Sequence, residues 1–195
     1  MDEIVRKAMA KWPQVPALYG WLGLDRRGRW LLQGKVVERE PLIDFIGRNY
    51  EHDELGRWFF QNGPQRAYIE LAYTPWVLRA NGQGDLETHT REPVTAINAC
   101  WLDDNGSLLL EWKRGVGLLD DSDLSWAFER LTDARGEPMA EAALLAALDS
   151  LPNADADAVF LNYGGQRLTL AAVQSADVPA LFGFQRKPQA TANES

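Results

Sequence analysis

The spacing of apolar residues changes period along the chain, and each change predicts an element. Ile4, Val5, Ala8, Met9 and Trp12 fall on one helical stripe, with Asp2 placed as an N-cap and Pro13 as a stop. A second helix follows Glu40, with Pro41 at its first position and Leu42, Phe45, Ile46 and Tyr50 continuing the period. A third begins after Asp120-Asp121-Ser122-Asp123, where Leu124, Ala127, Phe128 and Leu131 repeat at helical intervals. A fourth starts near Pro138, carries Leu144, Leu148 and Leu151 on one stripe, and stops at Pro152.

Between these stretches the period falls to two. Tyr19–Asp25 and Arg29–Gln33 flank Arg26-Arg27-Gly28, a tight loop with glycine where positive φ is needed. Arg57–Gln61 and Gln65–Leu71 flank Asn62-Gly63, with Pro64 weakening the first ladder bond. Thr95–Asp103 and Ser107–Trp112 flank Asp104-Asn105-Gly106, and Ala158–Tyr163 and Gln166–Val173 flank Gly164-Gly165. A further strand is expected over Trp76–Arg79, followed by a flexible turn or loop at Asn81-Gly82-Gln83-Gly84-Asp85.

Two hairpins repeat each other without a gap. Leu24-Asp25-Arg26-Arg27-Gly28-Arg29-Trp30-Leu31-Leu32 aligns with Leu102-Asp103-Asp104-Asn105-Gly106-Ser107-Leu108-Leu109-Leu110, and Phe59-Phe60-Gln61-Asn62-Gly63-Pro64-Gln65-Arg66 aligns with Phe160-Leu161-Asn162-Tyr163-Gly164-Gly165-Gln166-Arg167. Each half reads hairpin, helix, hairpin. The expected fold is α+β, one domain over residues 1–187. It holds a mostly antiparallel sheet from about four β-hairpins, with about four helices. Pseudo-repeats over 15–80 and 94–185 suggest two similar ββαββ halves. Residues 188–195 read as a frayed tail.

The formal net charge is −8, and all of it comes from residues 99–195, because residues 1–98 balance. The acidic sum counts against nucleic acid as a partner. Cys100 is the single cysteine, so neither a disulfide framework nor a multi-cysteine metal site is available. No stretch approaches the ~20 apolar residues of a transmembrane helix, and the N-terminus lacks a signal-peptide pattern. These features give a cytoplasmic expectation.

No motif assigns a reaction. His52 lies in a charged loop and His89 alternates with threonines, so the two histidines read as solvated. Cys100 sits in an apolar strand and reads as a small buried hydrophobe. The acids at 120–123 lack the spacing of a calcium loop and read as helix-capping groups. Gly115-Val116-Gly117 lacks the third glycine of a dinucleotide fingerprint, and Gly-x-Ser-x-Gly is absent. No metal or cofactor is therefore expected.

Arginine beside tryptophan is the most suggestive pattern. Arg27, Arg29, Trp30, Arg57, Arg66 and Trp76 form a candidate contact group for a protein or small molecule, since guanidinium and indole stack on planar partners. Eight tryptophans exceed what a core needs, which adds a groove or homodimer interface to the expectation. A binding or interaction role is favoured. The alternatives are an enzyme whose site assembles His52, His89 or Cys100, and a structural homodimer subunit. The tracts from Val15 to Gly28 and from Gly56 to Arg66 resemble an uncharacterised proteobacterial family over roughly residues 1–185. That resemblance implies a bacterial cytosolic protein and brings no activity, cofactor or catalytic residue.

Overall fold

The hairpins grow from one piece of short-range chemistry, a five-residue turn closed by a polar side chain. The computed structural model describes residues 1–12, 17–151 and 158–190. At Asp25 the carboxylate Oδ1 accepts the amides of Arg27 and Arg29, both at 2.9 Å, while the Gly28 amide donates to the Asp25 carbonyl. The same pattern recurs at Asp53, Asn81, Asp103 and Asp133. In all five the fourth residue is a glycine with φ between +72° and +87°, a region costly for residues with a Cβ. A sixth copy at Thr88 uses the hydroxyl to accept the Glu92 amide at 3.0 Å, and Arg91 takes the glycine position at φ +64°.

The chain divides into two compact units, Met1–Pro75 with Phe182–Ser195, and Trp76–Leu181. The first unit opens with helix α1 (Glu3–Lys11). Strands β1 (Leu18–Leu24), β2 (Trp30–Leu32) and β3 (Lys35–Val36) follow as a meander. Helix α2 (Glu40–Arg48) leads to a second meander of β4 (Tyr50–His52), β5 (Trp58–Asn62) and β6 (Gln65–Leu71). The meanders join through a parallel pairing of β1 with β6, giving the order β3-β2-β1-β6-β5-β4. Leu22, Leu24, Trp30, Tyr50, Trp58, Ile69 and Leu71 fill the core of this unit.

The second unit begins with β7 (Trp76–Ala80), β8 (Leu86–Thr88) and β9 (Pro93–Val94). It continues with β10 (Ala99–Asp103), β11 (Leu108–Trp112) and β12 (Gly115–Leu119). A 3-10 turn at Asp121–Asp123 runs into α3 (Leu124–Phe128), followed by β13 (Leu131–Thr132) and α4 (Glu141–Ser150). Strands β14 (Phe160–Tyr163) and β15 (Gln166–Val173) and helix α5 (Val178–Leu181) complete it. The order is β13-β14-β15-β10-β11-β12-β7-β8-β9.

Read from its other edge, the stretch β12-β11-β10-β15-β14-β13 repeats the order of the first sheet. The register repeats as well. Leu24 opposite Trp30 matches Leu102 opposite Leu108, and Phe59 opposite Tyr68 matches Phe160 opposite Thr169. The parallel pair Leu22–Ile69 matches Cys100–Leu170. In the first unit the Asp53 turn connects β4 directly to β5. In the second, the Asp133 turn leads to a single bridge, Thr132 to Pro138, and α4 is inserted before β14.

Several expectations change. The fold is α+β and mostly sheet, as expected, but both sheets are mixed. β1 with β6, β10 with β15, and β7 with β12 run parallel. Six further strands, β3, β4, β8, β9, β12 and β13, appear beyond those expected. Most of these span only two or three residues, too few for a visible alternation. Leu131, expected on the third helix, lies in β13. Asp2 makes no side-chain cap; its amide donates to Asn49 Oδ1 at 2.8 Å. Residues 81–85 form a turn, closed by the Asn81 side chain. Pro13, Pro152 and the end of the expected tail at 191–195 lie outside the described residues.

The recurring turn gives a matched pair of substitutions. A Cβ on Gly136 meets nothing within 4 Å, so Gly136→Ala carries only the positive-φ cost, about 1–2 kcal/mol. A Cβ on Gly56 would stand 2.0 Å from the Gly183 carbonyl oxygen, so Gly56→Ala adds a backbone collision and costs roughly 3 kcal/mol or more. Urea unfolding of the two variants checks this; equal losses would remove the close approach to Gly183 as the reason for glycine at 56.

Candidate functional site

The expected contact group divides between the two units. Trp30 is 1% exposed and packs edge-on against Tyr50, with centroids 5.1 Å apart. Trp76 is also 1% exposed and belongs to the second unit. Its indole N–H donates to the Arg114 carbonyl, Trp112 packs edge-on against it, and the Arg114 guanidinium covers its ring at 4.6 Å. Both indoles are core. Arg27 and Arg29 lie at the exposed Asp25 turn, where Arg29 Nε bonds Asp25 Oδ2 at 2.7 Å.

Arg57 is buried in a polar network, with its side chain 6% exposed. Its Nε donates to Asp53 Oδ2 at 2.8 Å, its Nη2 to the Tyr68 hydroxyl at 2.8 Å, and its Nη1 to Tyr19 Oη and the Gln189 carbonyl. Tyr68 in turn donates to Asp53 Oδ2 at 2.9 Å, and its ring stacks on Tyr19 at 4.7 Å. Arg66 reaches the same hydroxyl at 3.4 Å, bonds Gln61 Oε1, and lies 3.9 Å over the Phe59 ring. Burial works to raise the Asp53 carboxyl. The Arg57 amide and guanidinium and the Tyr68 hydroxyl outweigh it and hold the carboxyl below its ordinary 3.8. Burial pushes the Tyr68 hydroxyl above its ordinary range. Arg57 and Tyr68 thus meet their hydrogen bonds inside the protein, which suits a structural hub.

The residues of the enzymatic alternative have local roles. His52 belongs to the first unit, beside Trp58, and His89 to the second, 5.6 Å from the Trp76 ring. Cys100 is 1% exposed, and burial pushes its thiol up to about 12. It is therefore a neutral thiol at pH 7 and a poor nucleophile. Among the described residues no cluster of His, Cys, Asp or Glu suits a metal ion. No helix among them is long and apolar enough to cross a membrane.

Concavity and cationic donors coincide in the second unit. A cleft of about 450 Å³ lies among the Asn81 turn, the end of α3 and the β14–β15 turn. Arg130 is set on one wall: its Nη1 donates to the Trp126 carbonyl at 2.9 Å and its guanidinium lies 4.6 Å over the Trp126 ring. The Trp126 indole N–H donates to the Gly84 carbonyl at 2.7 Å, which fixes the ring below it. Arg167 also lines the cleft, its guanidinium 3.9 Å over Phe160 and its Nη2 on the Asp133 carbonyl. Asn162 binds the Arg130 carbonyl through both its amide and Nδ2. Gly164-Gly165 forms the floor, and Tyr163 pins it by donating to the Val94 carbonyl at 2.6 Å. The carboxylates nearby are Asp85, which lines the cleft, and Glu129, 3.6 Å from Arg130.

Sequence reading missed Arg130 because no aromatic adjoins it in the chain; Trp126 lies one helical turn earlier, the one available signal. Arg167 was visible through its alignment with Arg66.

Removing the hub cation leaves Asp53 enclosed without its partner. Arg57→Ala is expected to cost about 3 kcal/mol or more. Because the folded Asp53 pKa is depressed, its contribution is present above 3.8 and lost as pH falls through the folded value. Stability measured against pH should therefore show an acid limb that flattens in Asp53→Asn and moves to higher pH in Arg57→Ala. Unchanged limbs would remove Asp53 from the acid response.

Two solved structures and one family model are similar to the chain. A crystal structure of a DUF1285 family protein from Silicibacter pomeroyi DSS-3 has a TM-score of 0.54 at 13% identity, covering 89% of this chain and 97% of that one. At that identity the likeness is one of fold. A DUF1285 family protein from Shewanella baltica OS155 has a TM-score of 0.42 at 13% identity, covering 57% of this chain and 90% of that one. No curated protein matches the chain. Residues 1–189 match DUF2944, described as "Protein of unknown function (DUF2946)", and the chain belongs to that family.

Proposed function

We propose that the protein is a binding protein whose ligand-bearing half is the second unit, and that the cleft beside Arg130 and Arg167 takes a small anion such as a phosphate or carboxylate. The observation that carries this reading is the pair of guanidinium groups on one open cleft, each already oriented by a chain carbonyl and an aromatic face. Preorganised arginine forks favour planar or tetrahedral oxyanions, with charge-assisted bonds about twice as strong as neutral ones.

The two units are read here as copies of one six-stranded unit, supported by their shared strand order and register. Comparison of equivalent residues supports the choice of cleft. Arg66, the counterpart of Arg167, is bound up with Gln61 and Tyr68, whereas Arg167 meets a single backbone carbonyl. Where the first copy has Gly63-Pro64 in the strand turn, the second has Gly164-Gly165, which leaves one more backbone N–H at the tip. Arg27 and Arg29, exposed at the Asp25 turn, remain the part of the expected contact group placed to meet a partner.

Titration of the protein with inorganic phosphate, followed by amide NMR, tests the assignment. The expected result is saturable shifts at Gly84, Gly164 and Gly165 that weaken with added salt. Arg167→Ala should reduce the affinity about tenfold, equivalent to ~1.4 kcal/mol. Shifts confined to other regions, or an Arg167→Ala variant that binds as tightly, would refute it.

A further inference from the structure

The inserted helix α4 does more than lengthen the second unit. Its sequence, Glu141-Ala142-Ala143-Leu144-Leu145-Ala146-Ala147-Leu148-Asp149-Ser150, is apolar on more than one face. Leu144 and Ala147 are buried. Leu145, next along the helix, is 50% exposed, and Phe128 at the end of α3 is 45% exposed. Between the helices and the sheet lies a cavity of about 360 Å³, within the ~300–1,000 Å³ range of small-ligand pockets. Its walls are Leu102, Leu108, Leu131, Leu148 and Leu170, with Phe128 at the edge. The first unit has no counterpart of α4, so the pocket is particular to this copy.

The polar groups lining this pocket are all acidic: Asp103, Asp104 and Asp149. Asp103 is spent on its own turn, where Oδ1 accepts the Asn105 and Ser107 amides. Asp104 is exposed and accepts the Ser175 amide at 2.6 Å. Asp149 is exposed in the last turn of α4, which carries no basic residue. An anion there opposes the helix dipole, so its placement works against the helix that bears it. Among the described residues no basic side chain forms an ion pair with Asp104 or Asp149. The pocket thus combines an apolar interior with the acidic groups of Asp104 and Asp149 at its rim.

We propose that this pocket binds a single-chain amphiphile with a cationic head, an alkylamine or alkylammonium compound. The alkyl chain replaces solvent among the leucines, and the ammonium group lies between Asp104 and Asp149. An anionic amphiphile such as a fatty acid meets the same apolar walls but a repulsive rim, so discrimination rests on the head group. The site is separate from the arginine cleft: no residue lines both.

The test uses the full chain and three probes of equal chain length, octylammonium, octanol and octanoate, at concentrations below micelle formation, with binding followed by NMR of the leucine methyl groups. Octylammonium should bind most tightly and octanoate least. Asp149→Asn should weaken octylammonium two- to fivefold, in line with the loss of one exposed ion pair, and leave octanol unchanged. Leu145→Lys, at a half-exposed position, places a competing cation at the rim and should weaken octylammonium further while phosphate shifts at the arginine cleft persist. Arg167→Ala should leave octylammonium binding intact, so failure of the cleft assignment and failure of this one give different results. Equal binding of octanoate, shifts at methyl groups outside the pocket, absence of octylammonium binding, or indifference to Asp149→Asn and Leu145→Lys would each overturn the proposal.

Discussion

The hydrogen bonds that close the five-residue turn are the constraint on which most of this structure rests. An Asp, Asn or Thr oxygen takes up two or one of the turn's amides, and a residue with positive φ reverses the chain. Such a turn fixes which residues face each other across the hairpin, and a slip by one residue would move every side chain to the opposite face. Leu24 faces Trp30 because Asp25 starts the turn between them; Leu102 faces Leu108 because Asp103 does. The buried aromatic and leucine layers follow from that register. The sixth turn shows the limit of the chemistry, since Thr88 and Arg91 replace Asp and Gly without altering the backbone bonds.

The surplus of tryptophan and arginine has a structural explanation that precedes any functional one. Guanidinium groups cover aromatic faces in both units: Arg57 on Tyr68, Arg66 on Phe59, Arg114 on Trp76, Arg130 on Trp126 and Arg167 on Phe160. Large rings that lie near the surface are sealed by cations whose charge stays solvated or paired. Each contact gains a modest energy, and two of them cover tryptophans, Trp76 and Trp126. Arginine next to tryptophan in the sequence was therefore a poor guide to a surface. Trp30 and Trp76 are enclosed, and Arg57 is a buried hub.

What the sequence disclosed depended on whether the signal was local. Hairpins with glycine turns were legible because turn chemistry is written in four or five consecutive residues. The likeness of Leu24–Gly28 to Leu102–Gly106 and of Phe59–Gly63 to Phe160–Gly164 is visible for the same reason, since each pair aligns without a gap. The parallel pairings were not legible, because β1 meets β6 and β10 meets β15 through tertiary contact that no turn encodes. Nor was the burial of Arg57. Trp58, Phe59, Phe60 and Gln61 are all buried in succession, so alternation could not separate an inner from an outer face. Cys100 was legible as a buried hydrophobe, because a small apolar strand residue has few other fates.

The two units differ in one connection. In the first unit the meander after α2 runs straight through the Asp53 turn into β5, and the polar side chains around that turn close on each other. In the second, α4 is inserted in the chain between β13 and β14, which still pair, and Arg167 on β15 bonds the carbonyl of Asp133 at the corresponding turn. The network that absorbs Arg66 in the first copy has no Tyr68 equivalent in the second, where Thr169 takes that position. With no phenol to bind, Arg167 turns toward the cleft. The same insertion supplies Leu145, Leu148 and Asp149 to the apolar pocket. Both the arginine cleft and the apolar pocket thus lie in the unit that carries the insertion.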